Sequence, residues 1–238
     1  MEAILIQVCA QSHLKHLRPV LKHKYPCSRT GLEEVEEVLY RKVENMGASR
    51  YLAEEAIYHV YCRGNNKVKV FHVGHDYSKY RSNILKYKKK YGFKIYFYLL
   101  MPNHLHLLIE PRLIGDLSKI MHSLNLSYTM WHNRRYDCVG HIWQSRYRSR
   151  IINSDTDLIN CMAYIEMNQV NAGLAKGPEL YKWSSCYERF KKIKDRILDF
   201  NPIYLELGAD EQERRRIYYE IMLKTGSQAQ VPVLKNRS

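Results

Sequence analysis

Two apolar runs of β-forming residues, Phe93 to Leu100 and His104 to Glu110, stand only three residues apart, and that closeness limits what the chain can become. Parallel neighbours need a crossover of a dozen or more residues, so runs joined by Met101-Pro102-Asn103 must pair as an antiparallel hairpin. Pro102 has no N–H to give to a central ladder and therefore marks the connection. Around this hairpin the period of the pattern changes. Ile57 to Arg63 is rich in β-formers and meets a turn at Gly64-Asn65-Asn66, and Tyr77 to Tyr91 is a Lys-rich helical stretch stopped by Gly92. Leu117 to Trp131 is helical, Arg146 to Ile152 reads as a strand, and Asp155 to Val170 reads as a helix capped by Ser154. The order βαββαβα predicts an α+β fold of ferredoxin-like type, an antiparallel sheet with its helices packed on one face.

The chain has 238 residues, 45% of them hydrophobic, which is enough for one good core with appendages. Residues 1–50 read as an N-terminal extension, 51–190 as the central domain, and 191–238 as a C-terminal helical extension with a disordered tail. In the extension, Thr30 and Glu33 have capping-box spacing ahead of an apolar helical face that Gly47 ends. Beyond Pro178 the pattern is irregular, with a final helix expected over Asp210 to Leu223 and disorder from Thr225 onward.

A formal charge of +14, from 38 Lys and Arg against 24 acidic residues, favours a polyanionic partner through counterion release. Nucleic acid leads and an anionic membrane trails. Twenty tyrosines among the basic residues suit stacking on unpaired bases, or equally a Tyr-rich core under a solvated basic surface. The six cysteines form no C-x-x-C pair and read as reduced, mostly buried thiols. No apolar run approaches the roughly 18 residues that span a bilayer, and the start lacks an export signal, so a cytoplasmic protein without membrane contact is expected.

His104 and His106 stand at i and i+2 in a strand, so both imidazoles leave one sheet face, roughly 7 Å apart at Cα, and could chelate one divalent ion. Half-buried histidines are common, so the pair alone does not establish ligation. On the helix from Asp155, Asp157, Asn160, Tyr164, Asn168 and Asn171 share an arc of roughly 80°. Leu158, Ile159, Cys161, Met162, Ile165 and Val170 make the opposite side apolar. The polar arc can be a solvated face, or it can set a phenol one turn from an amide oxygen. Arg146, Arg148 and Arg150 alternate as a cationic row, fit for phosphate contacts or for a charged edge strand. Arg63-Gly64-Asn65-Asn66 is either a plain turn or a close backbone approach to a ligand. Lys86 and Lys88-Lys89-Lys90 read as a solvated helix face, Trp143 and Trp183 as packing or base-stacking residues, His72 and His75 as surface residues, and His59 as a strand residue near the candidate site with no assigned role.

The ordered series YLLMPNHLHLLIEP, GHIWQSRYRSRII and YIEMNQVNAGL resembles the REP-associated tyrosine transposases of the HUH nuclease superfamily, over roughly Tyr58 to Ser185. The resemblance implies that His104 and His106 are metal-binding histidines, that Asn168 supplies a third ligand to Mg²⁺ or Mn²⁺, and that Tyr164 is the nucleophile. It implies single-stranded or hairpin DNA as partner and a 5′-phosphotyrosine intermediate; Arg63-Gly64-Asn65 resembles the family's R-G-N element, so Arg63 and Asn65 join Arg146, Arg148 and Arg150, read from their spacing, as candidate DNA contacts. Members act as monomers or homodimers. Where relatives usually read N-P-V-R-A-G, this chain has Asn168-Gln169-Val170-Asn171-Ala172-Gly173, without the proline that would stop the helix and without the arginine. The function expected is therefore a metal-dependent DNA endonuclease and strand transferase. Its alternatives are a structure-specific DNA-binding protein without catalysis, and a metal-dependent phosphodiester hydrolase that forms no covalent adduct.

Overall fold

A computed structural model describes residues 56–113, 115–191 and 196–226. The expected helix after Thr30 and the tail beyond Gly226 lie outside the described residues. Four strands form one antiparallel sheet: β1 (Tyr58–Arg63), β2 (Lys94–Met101), β3 (His104–Glu110) and β4 (Arg148–Ile151), in the order β2-β3-β1-β4. With α1 (Gly74–Tyr91) between β1 and β2, and α2 (Asp116–Tyr136) between β3 and β4, this is the ferredoxin-like arrangement.

The period of two sorts the strand residues cleanly. Tyr58, Val60 and Cys62 of β1, with Leu105, Leu107 and Ile109 of β3, face Tyr77, Tyr80 and Ile84 of α1 and Leu117, Ile120, Leu124 and Tyr128 of α2. The other face is covered too. There Phe97, Leu99 and Leu108 receive Leu158, Cys161, Met162 and Ile165 of α3 (Asp155–Asn171). The helices therefore lie on both faces of the sheet, and the expectation of one helical layer is corrected. The physical reason is visible in β2, whose run Ile95 to Met101 is buried throughout without alternation, as a strand covered on both sides must be.

Local chemistry sets the helix ends. The Asp76 carboxylate accepts from the N–H groups of His72 and Val73, which starts α1 at Gly74, ahead of the expected Tyr77. Gly92 ends it at φ 68°. The Ser154 hydroxyl accepts from the Asp157 N–H and caps α3. Without a proline after Asn168, α3 runs on through Asn171, and the buried Gln169 amide donates to the Pro178 carbonyl at 3.3 Å. The region past Pro178 is less irregular than its composition suggests. It holds α4 (Ser185–Phe190), α5 (Pro202–Glu206) and α6 (Glu211–Gly226). The Leu100 N–H donates to the Trp183 carbonyl and Leu99 bridges Ser184, so the outer edge of β2 is covered by backbone.

Much of the tyrosine content is core: Tyr58, Tyr80, Tyr98 and Tyr128 are wholly buried. Trp143 packs among Phe71, Tyr80 and Tyr128, and Trp183 stacks on Tyr77 at 4.7 Å. Cys62, Cys161 and Cys186 are buried free thiols, and Cys138 is exposed. Among the described residues no helix is long and apolar enough to cross a membrane.

Candidate active site

The sheet face under α3 is polar at its β1 end. The antiparallel register sets Tyr61 opposite His106, Arg63 opposite His104, Arg148 opposite Tyr61 and Arg150 opposite His59. His59, Tyr61, Arg63, His104, His106, Arg148 and Arg150 thus share the face on which α3 lies. The Tyr61 ring touches both imidazoles, at centroid distances of 5.6 Å to His104 and 5.0 Å to His106. The two imidazoles stand edge to face, 5.2 Å apart.

Each histidine is oriented through its Nδ1. The Asn103 amide donates from Nδ2 to the Lys67 carbonyl, which turns its Oδ1 toward His104 Nδ1 at 2.6 Å. His106 Nδ1 lies 2.9 Å from His59 Nε2. The Nε2 atoms remain for an external partner. Burial, then the Arg63 guanidinium, pushes His104 down to about 4, while burial, then His59 and His104, holds His106 well below the usual histidine range. Burial, then Arg150, brings His59 down to about 3. Neutral imidazoles are the form that ligates a metal ion.

These values carry a stability consequence. The folded value for His59 lies below its unfolded value of about 6.5, so between the two the unfolded chain binds the extra proton. The contribution is complete above about pH 6.5 and is lost as pH falls toward about 3. At pH 4.5, two units below, that is about 3 kcal/mol. Urea unfolding at pH 7 and pH 4.5 should show wild type losing about that much more stability than His59→Gln. Equal losses would mean that His59 is not held neutral in the fold.

Tyr164 lies on α3, half-buried against the cluster that contains Phe97, Leu99 and Leu108. Burial raises the Tyr61 hydroxyl above the usual phenol range, with Arg63 and Arg148 pulling it down and Tyr164 adding to the rise. Tyr61 therefore touches both imidazoles, pairs with Arg148 across the sheet and is close enough to Tyr164 to feel its charge. One turn beyond Tyr164, Asn168 has an amide nitrogen buried without a partner. Among the described residues no group of three His, Cys, Asp or Glu side chains could hold a metal ion. Two neutral imidazoles and an amide oxygen are a donor set that a divalent ion such as Mn²⁺ or Mg²⁺ would accept. The residues fit the group.

The basic residues separate. Arg63 and Arg148 are half-buried beside Tyr61, whereas Asn65 and Arg146 are exposed, and Arg146 precedes β4 rather than lying in it. Arg150 Nη1 donates to both carboxylate oxygens of Asp157 at 2.9 and 2.8 Å, so it pins β4 to the first turn of α3. A Cβ at Gly64 would collide with the Val68 carbonyl, so the close approach in Arg63-Gly64-Asn65 is to the chain's own backbone.

Residues 53–168 match the family model described as transposase, IS200-like. These residues are an IS200-like transposase domain. Seven solved chains match the structure. One of them is a REP-associated tyrosine transposase bound to a REP hairpin, with a TM-score of 0.52 and 20% identity, covering 64% of this chain and 93% of its own. That likeness carries the fold. No curated protein matches the sequence. The transposase domain ends, by its family model, at Asn168, one turn after Tyr164 on α3. Sequence reasoning placed His59 near the candidate site without a role and did not single out Tyr61. Their signal was the alternation of β1, which puts them on the same face as Arg63 and, through antiparallel pairing with β3, beside His104 and His106.

Proposed function

We propose that the chain cuts and rejoins single-stranded DNA near hairpin structures, with Tyr164 as nucleophile and a Mg²⁺ or Mn²⁺ ion held by His104, His106 and Asn168. The observation that carries this reading is that α3, which bears Tyr164 and Asn168, packs on the sheet face that also bears both imidazoles. The family of residues 53–168 and the hairpin bound by the similar transposase support DNA of this kind as the substrate. When bound, the divalent ion polarises the scissile phosphate and offsets charge that develops during displacement. The Tyr164 hydroxyl oxygen attacks phosphorus and gives up its proton to solvent. The bond to the 3′ oxygen breaks, and that oxygen keeps the electron pair and takes a proton. The products are a 5′-phosphotyrosine and a free 3′-hydroxyl. Another 3′-hydroxyl can attack the phosphotyrosine, releasing Tyr164 and joining the strands. In this reading Arg63 and Arg148, half-buried beside Tyr61, would offset phosphate charge, and the exposed Asn65 and Arg146 would meet flanking backbone. Arg150 contributes by fixing α3 through Asp157.

The test is a labelled single-stranded hairpin oligonucleotide incubated with full-length protein and Mn²⁺ or Mg²⁺, resolved on a denaturing gel. A denaturation-resistant protein–DNA adduct is expected, falling about 10²- to 10³-fold with chelator or in His104→Ala. Cleavage without an adduct would identify a hydrolase. Binding without cleavage would identify a non-catalytic hairpin-binding protein.

A further inference from the structure

His59 Nε2 sits 2.9 Å from His106 Nδ1, with the two rings stacked at 5.2 Å and 16°. Only one hydrogen can occupy that line, and which ring supplies it decides what His106 can do. An imidazole that ligates through Nε2 must have no hydrogen there, so its single hydrogen is on Nδ1. His59 must then accept at Nε2 and carry its own hydrogen on Nδ1, the atom that is buried without a partner. In the reverse arrangement His59 donates, His106 carries its hydrogen on Nε2, and the ligating lone pair is lost. His104 shows the same requirement met by different means, because the Asn103 oxygen can only accept.

We propose that His59 is a positioning residue that holds His106 in its Nδ1–H tautomer and thereby sets the affinity of the site for its divalent ion. The inference rests on the metal site proposed above. Carboxylates and backbone carbonyls commonly fill such a place and can only accept. A second imidazole can accept or donate, so this site carries a tautomeric equilibrium that ion binding must draw to one side. His59 is well placed to hold it there, being 5% exposed, central in the sheet, and opposite Arg150, which Asp157 ties to the helix of Tyr164.

The test measures Mn²⁺ affinity by electron paramagnetic resonance on the full chain, in wild type, His59→Ala, His59→Gln and His104→Ala. Long-range ¹H–¹⁵N spectra of wild type saturated with diamagnetic Mg²⁺ report the His106 tautomer. Expected are a 10- to 100-fold loss of affinity in His59→Ala, recovery of most of it in His59→Gln, whose amide oxygen accepts, and an Nδ1–H signal for His106. Unchanged affinity in His59→Ala, with affinity abolished in His104→Ala, would overturn the role of His59 and leave the metal site standing. So would a loaded wild type with His106 protonated at Nε2, a measurement that needs no variant to fold. Equal binding by wild type and His104→Ala would remove the metal site, and this role with it.

Discussion

Tyr164→Phe should bind hairpin DNA as wild type does and form no covalent adduct, with strand cleavage reduced by at least about 10⁴-fold, the scale seen when a covalent nucleophile is removed. The substitution deletes one oxygen from a half-buried ring packed beside Phe97, Leu99 and Leu108, and the ring's packing is kept. Stability should therefore change by less than about 1 kcal/mol. That separation makes the experiment decisive, because a binding protein on the same scaffold would lose nothing. Tyr61→Phe is the needed companion, since Tyr61 is a phenol in contact with both imidazoles. It should keep the adduct and lose rate. An adduct that survives Tyr164→Phe and vanishes in Tyr61→Phe would move the nucleophile from α3 to β1 and end the assignment.

How far the sequence reveals this site depends on which signals are local. The bounds of β3 are legible because Pro102 closes the hairpin and Glu110 meets another proline. The Ser154 cap and the Gly92 stop are legible because one side chain or one positive φ decides each. The far end of α2 is not: the expected helix stops at Trp131, yet it runs to Tyr136, whose hydroxyl donates to the buried Asp76 carboxylate of α1. That contact spans sixty residues, and no local pattern carries it. The start of β4 is similar. Arg146 keeps the alternation, but pairing with β1 begins only at Arg148, opposite Tyr61. Arg150 looks like one more cation in a row, and only the fold brings Asp157 to it. The second helical layer was written in the unbroken apolar run of β2, a pattern that says both faces are covered without saying by what.

Arg189→Ala should be the most damaging substitution away from the candidate site, costing about 3–5 kcal/mol of stability, the upper range for truncating a large, fully buried side chain. Arg189 on α4 is 1% exposed, and its guanidinium lies over the rings of Tyr204 at 4.3 Å and Tyr218 at 4.8 Å, from α5 and α6. Glu166 of α3 is also wholly buried, and its carboxyl is pushed up to about 7 by burial while Arg189 draws it down. Removing the guanidinium empties the aromatic cage and leaves the Glu166 carboxylate without its compensating cation. For a chain of this length the loss should lower Tm by roughly 10 °C. Glu166→Gln combined with Arg189→Met removes both charges and keeps most of the volume, so it should recover much of the deficit. Glu166 stands between Tyr164 and Asn168 in sequence, so the same cage secures α3 from behind, with residues beyond the family model's last position. The adduct yield of Arg189→Ala should fall in step with its folded fraction and return in the double variant. An Arg189→Ala protein with wild-type Tm would show that α5 and α6 are held by apolar packing alone, and that the buried charges have no part in fixing the helix that carries Tyr164.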